Sequence, residues 1–468
     1  MRMGSTFLAL AAIAAVSTQG AAQQRPAIRA LGPVVAKTAD GLPSIAGIRP
    51  LPSGGVLVND ISGRKLVLYD ANLASSVLVA DTTSATASAY AGPTGGLIPF
   101  RADSSLFVDP SSMSMLIVDG SGKIARVMSV PRTQDAVMLA GPLSTSVGFD
   151  PAGRLIYRES PFGALARQRQ VARPGGAGST GGPAGFTPPE FPDSLPIIRI
   201  DLATRKVDTL AYGRIPKVKL DVQQDEGRFS ITTQINPLPT VDDFAVLPDG
   251  TLAMIRGSDY HVDYYAPDGT KTSAPKIPFD WQRLTDDDKV AFIDSLKVAR
   301  ARADSANPGD GGRAGVLGAL GGVGGGTPNI AIVGGNGGPR AGGNGGARGG
   351  GAAGGGGAAR GGNGGGFGGR GGARVTFVAP SDLPDYKPAF FAGSTKADAQ
   401  GNLWVRTIPT KKIDGGPVYD VIDRKGTLVD RVQVPANTSI AGFAPDGTVY
   451  LTFQDSSNKV YLEKAKLR

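Results

Sequence analysis

Four aspartates, Asp60, Asp109, Asp119 and Asp150, recur where short apolar runs end, in VND, FVDP, IVDG and GFDP. Carboxylates that recur at the ends of structural elements can converge on a hard cation such as Ca2+, which takes about six to eight oxygen ligands. A cation held there would polarise a carbonyl or lactone oxygen for hydrolysis. The competing reading of the same residues is structural, because an Asp that opens a turn accepts the backbone N–H groups that follow it. His261 is the single histidine among 468 residues, and there is no cysteine. Those two counts exclude disulfides, zinc ribbons, iron–sulfur clusters, thiol catalysis and any site built on two imidazoles. His261 sits in SDYHVDYY, alternating with Tyr260, Val262 and Tyr264, and spacing alone places no Ser or Asp beside it as a catalytic triad needs.

Five aromatic residues are the other concentration of binding chemistry: Trp281, Tyr386, Phe390, Phe391 and Trp404. Such rings line ligand pockets, and they also seat an inserted segment on a core. Seating is the expected role and ligand binding its alternative. Between the first and the other four lies a Gly/Arg tract, 309–374, about half of it glycine, with Phe367 as its lone aromatic. Single-stranded nucleic acid is held by stacking on interleaved aromatics, so nucleic acid is not an expected partner. Glycine at that density costs too much backbone entropy to order, and the tract reads as disordered. A second stretch, 163–189, reads as a flexible loop.

The net charge of +9 has an address. Six arginines against Asp310 in 309–374, three arginines in 163–189 and Arg2 account for all of it. The rest of the chain is formally neutral, so the basic balance does not point to a nucleic-acid surface. Arg2, the apolar run FLALAAIAAV and the small residues before Gln23 read as a secretory signal, 1–22, cleaved near Ala22. Ten apolar residues are half of the roughly 20 that a membrane-spanning helix needs. The expectation is a periplasmic or extracellular monomer without a membrane span.

The elements that must position these side chains come in a repeat. An apolar alternation leads into a turn such as PDG, PAG or AQG, then a Leu/Val-rich strand, a polar turn and another alternating strand. Copies run over 45–70, 97–124, 144–210, 241–271, 393–435 and 439–467. VLVND, LFVDP, LIYRE, LAMIR, LWVRT and VYLTF are the expected second strands, and Gly153, Gly250, Gly401 and Gly447 the turn positions that need positive φ. A period of about 45 residues, lengthened by insertions, argues for a propeller of four-stranded blades. The expected fold is all-β, a six-bladed β-propeller occupying 23–468. Residues 27–37 supply a strand to the last blade and close the ring. One inserted helix, 283–304, begins with a Thr285-x-x-Asp288 capping box and presents Phe292, Leu296, Ala299 and Ala303 on one face.

Gly55-Val56-Leu57-Val58-Asn59-Asp60 followed by the apolar run 65–70 resembles the NHL-type repeat, which returns loosely at 106–119 and 401–406. The whole chain resembles secreted bacterial six-bladed propellers of the NHL/TolB-like superfamily. The resemblance implies a fold far more than an activity. Some propeller hydrolases and lactonases hold a calcium-type ion at the channel mouth, which makes Asp60, Asp109, Asp119 and Asp150 the metal candidates of the alternative reading. The preferred expectation is a binding platform without a cofactor, presenting one ring face to a protein, peptide or glycan partner.

Overall fold

The computed structural model describes residues 25–140, 146–161, 163, 192–217, 219–225, 228–306, 374–411 and 413–467. The expected signal, the 163–189 loop and the 309–374 tract lie outside the described residues, apart from Gly163 and Arg374. Six antiparallel blades follow one another around a ring: I (47–80), II (96–129), III (148–214), IV (243–273), V (390–433) and VI (438–466). The six copies read from sequence are these six blades. In blade I the strands run Gly47–Pro50, Val56–Asp60, Lys65–Tyr69 and Ser76–Ala80 from the channel outward.

Alternation explains why these sequences make blades. Each second or third strand is buried on both faces, and its two faces feed the apolar layers between neighbouring blades. Six apolar clusters result, one per interface. Leu57 and Phe107 meet between blades I and II, Ile156 and Met254 between III and IV, and Trp404 and Leu451 between V and VI. The turns joining inner and second strands carry glycine where expected, with φ of +76° to +83° at Gly153, Gly250, Gly401 and Gly447. At Gly250 a Cβ would also stand 2.5 Å from Pro151 Cδ of the neighbouring blade.

Blade VI holds only three strands of its own chain end, Thr438–Phe443, Thr448–Gln454 and Val460–Lys466. Its fourth is Val34–Lys37, antiparallel to Val460–Lys466. Thr38 N donates to Leu462 O at 3.0 Å, and Leu42 and Val460 exchange two bonds at 2.8 Å. A step earlier, Ile28–Ala30 adds in parallel to the outer strand Leu428–Gln433 of blade V. The N-terminal segment therefore closes the ring and also clamps blade V.

Helix α1 (Asp286–Ala306) opens with the expected capping box. Asp288 N donates to Thr285 Oγ1 at 3.2 Å and Thr285 N to Asp288 Oδ2 at 2.9 Å. Its packing face differs from the expected one. Lys289, Ile293 and Leu296 are buried, whereas Ala299 is exposed and Phe292 only half-buried. The helix packs on Val378 and Leu383 of the return segment rather than on a broad apolar surface, so a narrow contact through Ile293 suffices. A three-stranded sheet of Lys219–Asp225, Arg228–Ile235 and Arg374–Phe377 stands outside the ring, in a stretch that the repeat left unassigned.

Deletion of residues 23–40 removes both clamping strands and exposes the edge of Val460–Lys466. The melting temperature of the truncated chain should fall by about 10 °C or more. An unchanged transition in a calorimetric scan would refute closure by this segment.

Candidate binding cleft at the channel mouth

Strand direction sorts the side chains between two faces of the ring. Second strands end on one face, here the upper; inner and third strands run antiparallel to them and end on the lower. Asp60 and Asp109 close second strands, so they lie on the upper face. Asp119 follows a third strand and Asp150 an inner strand, which puts both on the lower face. The four candidate metal ligands therefore do not converge. Each is committed locally. Asp60 Oδ1 accepts Ser44 N (3.1 Å), Ser44 Oγ (2.9 Å) and Gly63 N (2.9 Å), while its Oδ2 has no hydrogen-bond partner. Asp109 accepts Ser111 N and Ser112 Oγ, and Asp119 accepts Ser121 N, Ser121 Oγ and Lys123 N. Asp150 accepts Arg154 N at 2.9 Å and Arg154 Nε at 2.7 Å. Among the described residues no group of three His, Asp or Glu side chains is placed to hold a metal ion.

The five aromatics are likewise distributed. Trp281 meets Phe279 edge-on (centroids 5.2 Å), Phe279 meets Tyr260 (5.5 Å), and Tyr260 meets Phe390 (5.9 Å). This ladder of rings seats the inserted segment on the interface of blades IV and V. Tyr386 is exposed and bridges through its backbone to Arg283. Trp404 is buried between blades V and VI, its Nε1 donating to Asp398 Oδ2 at 3.0 Å. Of the five, Phe391 lines the cavity that the upper face presents.

That cavity is a cleft of about 790 Å³ on the upper face, where blades V, VI and I meet. Its walls are largely apolar and hydroxylic: Phe391, Ile408 and Val418 from blade V, Ser439 and Thr452 from blade VI, and Phe292 from α1. A bulge makes room for it. The inner strand of blade V pairs Phe390 with Thr407 and next Thr395 with Val405, so four residues, 391–394, face the single Arg406. Asp243 of blade IV holds the far end of the bulge by accepting Thr395 N at 2.9 Å. Burial pushes the Asp243 carboxyl above its ordinary range, against the nearby Arg158 guanidinium.

Arg406 is the one charged side chain among the described residues that line the cleft. It shares a strand face with Trp404, two residues along, so it rises at the upper end of the seam between blades V and VI. Arginines also stand near the ends of the second strands of blades III and IV: Arg158 at the position of Arg406, and Arg256 one residue further along and on the opposite strand face, and both are occupied. Arg158 donates to Asp242 O at 3.1 Å and lies over the Phe244 ring. Arg256 bridges Asp242 (2.9 Å) and Asp263 (2.8 Å). Arg406 has no hydrogen-bond or ion-pair partner among the described residues. Nothing in the sequence separated it from Arg158.

Two ionic clusters elsewhere on the upper face complete its electrostatics. His261 Nδ1 lies 2.6 Å from Asp259 Oδ1, with Nε2 3.5 Å from Asp263 Oδ1. Burial pushes Asp263 up, but bonds from Ser273 and Arg256 outweigh it and bring the carboxyl down to about 2. Arg132 spans Asp135 and Glu159 between blades II and III, and Tyr157 donates to Asp135 at 3.0 Å. Burial holds Asp135 above its ordinary value despite these contacts.

Lys396, on the inner strand of blade V opposite Trp404, is half-buried. Burial pushes its amine down to about 8, with Asp243 opposing the shift. Between pH 8 and the ordinary value of 10.5 the unfolded chain keeps a proton that the folded chain has lost, so through this group stability rises with pH across that window. Amine acetylation of the Lys396 peptide, followed by mass spectrometry against pH, should show a midpoint near 8. A midpoint at the ordinary lysine value would contradict the burial.

No family model and no curated protein matches the chain. Among solved structures it is similar to a calcium-binding protein, regucalcin, from Agrobacterium tumefaciens, at 12% identity and a TM-score of 0.38, over 94% of this chain and 98% of that one. It is also similar to the PQQ-bound form of aldose sugar dehydrogenase from Streptomyces coelicolor, at 12% identity and a TM-score of 0.32, over 94% and 99%. TolB from Acinetobacter baumannii matches at 10% identity and a TM-score of 0.31, over 86% of this chain and 61% of TolB.

Proposed function

We propose that the chain is an exported propeller that binds a protein, peptide or glycan partner on its upper face, with part of the partner entering the cleft between blades V, VI and I. The observation that carries this reading is the cleft itself. It has the size of a ligand pocket, walls that are apolar and polar in equal measure, and, among the described residues, one charged side chain without a partner. No helix among the described residues is long and apolar enough to cross a membrane. Export rests on the N-terminal signal pattern of residues 1–22.

Screening a peptide and oligosaccharide panel against the full chain by thermal shift tests the site. A ligand at a hundred times its Kd stabilises by about 2.7 kcal/mol. Ser439→Phe fills the cleft and should abolish the shift while leaving the unliganded transition in place. Hits that survive Ser439→Phe would move the binding site elsewhere.

The rival reading, a metal-assisted hydrolase or lactonase, needs convergent oxygen ligands. The committed, two-faced placement of Asp60, Asp109, Asp119 and Asp150 favours the binding reading over it. Melting curves in millimolar calcium and in chelator should coincide. A rise of more than about 5 °C with calcium would restore the hydrolase.

A further inference from the structure

We infer that Arg406 recognises a carboxylate, and that the occupant of the cleft is the free C-terminus of a peptide with an apolar last residue. This deepens the proposed cleft reading and rests on it. The charge argument comes first. Arg406 is half-buried and meets no carboxylate among the described residues, so its guanidinium stands in the cleft open to an incoming anion. Its neighbours in the other blades show what it lacks: Arg158 and Arg256 are both held by Asp242 and its surroundings. Among the described residues no Asp or Glu lines the cleft, so an anion that pairs with Arg406 there would come from the ligand.

The number and shape of the charges select the anion. One planar fork matches one carboxylate through two parallel bonds. A phosphate monoester carries close to two charges at neutral pH and would leave one unbalanced. The walls select what the carboxylate is attached to. Phe292, Phe391, Ile408 and Val418 offer apolar surface, whereas Ser439 and Thr452 offer hydroxyls already paired with each other at 2.7 Å. The bulge supplies the remaining requirement. Residues 391–394 fall outside the ladder between the inner and second strands, so backbone groups border the cleft where a peptide backbone would pass.

Titration calorimetry on the full chain with N-acetyl-Leu-Phe, its C-terminal amide, hexanoate and phenyl phosphate tests the assignment. The peptide acid should bind at least about tenfold more tightly than the amide, and Arg406→Gln should erase that difference. If Arg406→Gln does not fold, Arg406→Lys keeps the charge and loses the fork, and should weaken the acid while leaving the amide unchanged. Equal binding of acid and amide, still blocked by Ser439→Phe, would overturn carboxylate recognition and leave the cleft standing. Binding that ignores Ser439→Phe would take both readings down. Hexanoate binding as tightly as the peptide acid, preference for phenyl phosphate, or no binding of the peptide acid would each overturn the peptide C-terminus as occupant.

Discussion

A propeller blade touches only its two neighbours, so the ring is as secure as its last seam. Here that seam is closed by backbone hydrogen bonds between residues far apart in the chain: Thr38 and Leu462 pair across 424 positions. Without Val34–Lys37, the strand Val460–Lys466 would be an exposed edge, and such edges invite pairing with other chains. Closing so long a loop costs only slightly more entropy than closing a short one, because the cost grows with the logarithm of length. The ring needs no disulfide to do it, and the chain has no cysteine to offer.

The same segment explains why a cleft can exist between blades V and VI. Ile28–Ala30 grips the outer edge of blade V, Val34–Lys37 grips blade VI, and Leu31 between them is buried against Val432 and Val434. Arg29 adds an ion pair to Asp430. Lower in the seam Trp404 stacks near Phe443 at 5.0 Å and fills the interface. Held from outside and packed below, the two blades can part at their upper inner edges, where the 391–394 bulge turns aside. The opening is a local departure from blade geometry, supported by contacts that obey it.

Sequence periodicity revealed the blades because the second and third strands are buried on both faces and the turns before the second strands need glycine; both leave marks in single residues. The capping box of α1 was equally visible, since Thr285 and Asp288 act on each other over three positions. Function was less legible. Asp60 and Asp119 look alike at the ends of apolar runs, yet the strands they follow run in opposite directions and part them by the thickness of the ring. Their positions within the repeat differ, one at the end of a second strand and the other after a third, and that difference separates them. The α1 face was read only in part because its buried residues, Lys289, Ile293 and Leu296, include a lysine, which blurs the apolar pattern of a helix. Arg406 was hidden for a different reason. Three second strands end near an arginine, and what distinguishes the third is a counter-charge missing from blades adjacent in space.

Most of the carboxylates described on the upper face are engaged by structure, although Asp60 Oδ2 has no hydrogen-bond partner. Asp60 and Asp109 serve turns, Asp242 and Asp263 neutralise Arg256, Asp243 pins the bulge, and Asp135 with Glu159 encloses Arg132. A carboxylate that accepts backbone N–H groups or a guanidinium is poorly available to a cation, because each bond would have to be broken before a metal could be bound. The Arg406 guanidinium is the reverse case, since no bond has to be broken before it can accept an anion. On a face where most of the described acidic groups are spent, the pinning of the bulge by Asp243 and the exposure of Arg406 are one arrangement. The carboxylate that faces the bulge holds its backbone, and the arginine opposite the bulge keeps no carboxylate of its own among the described residues.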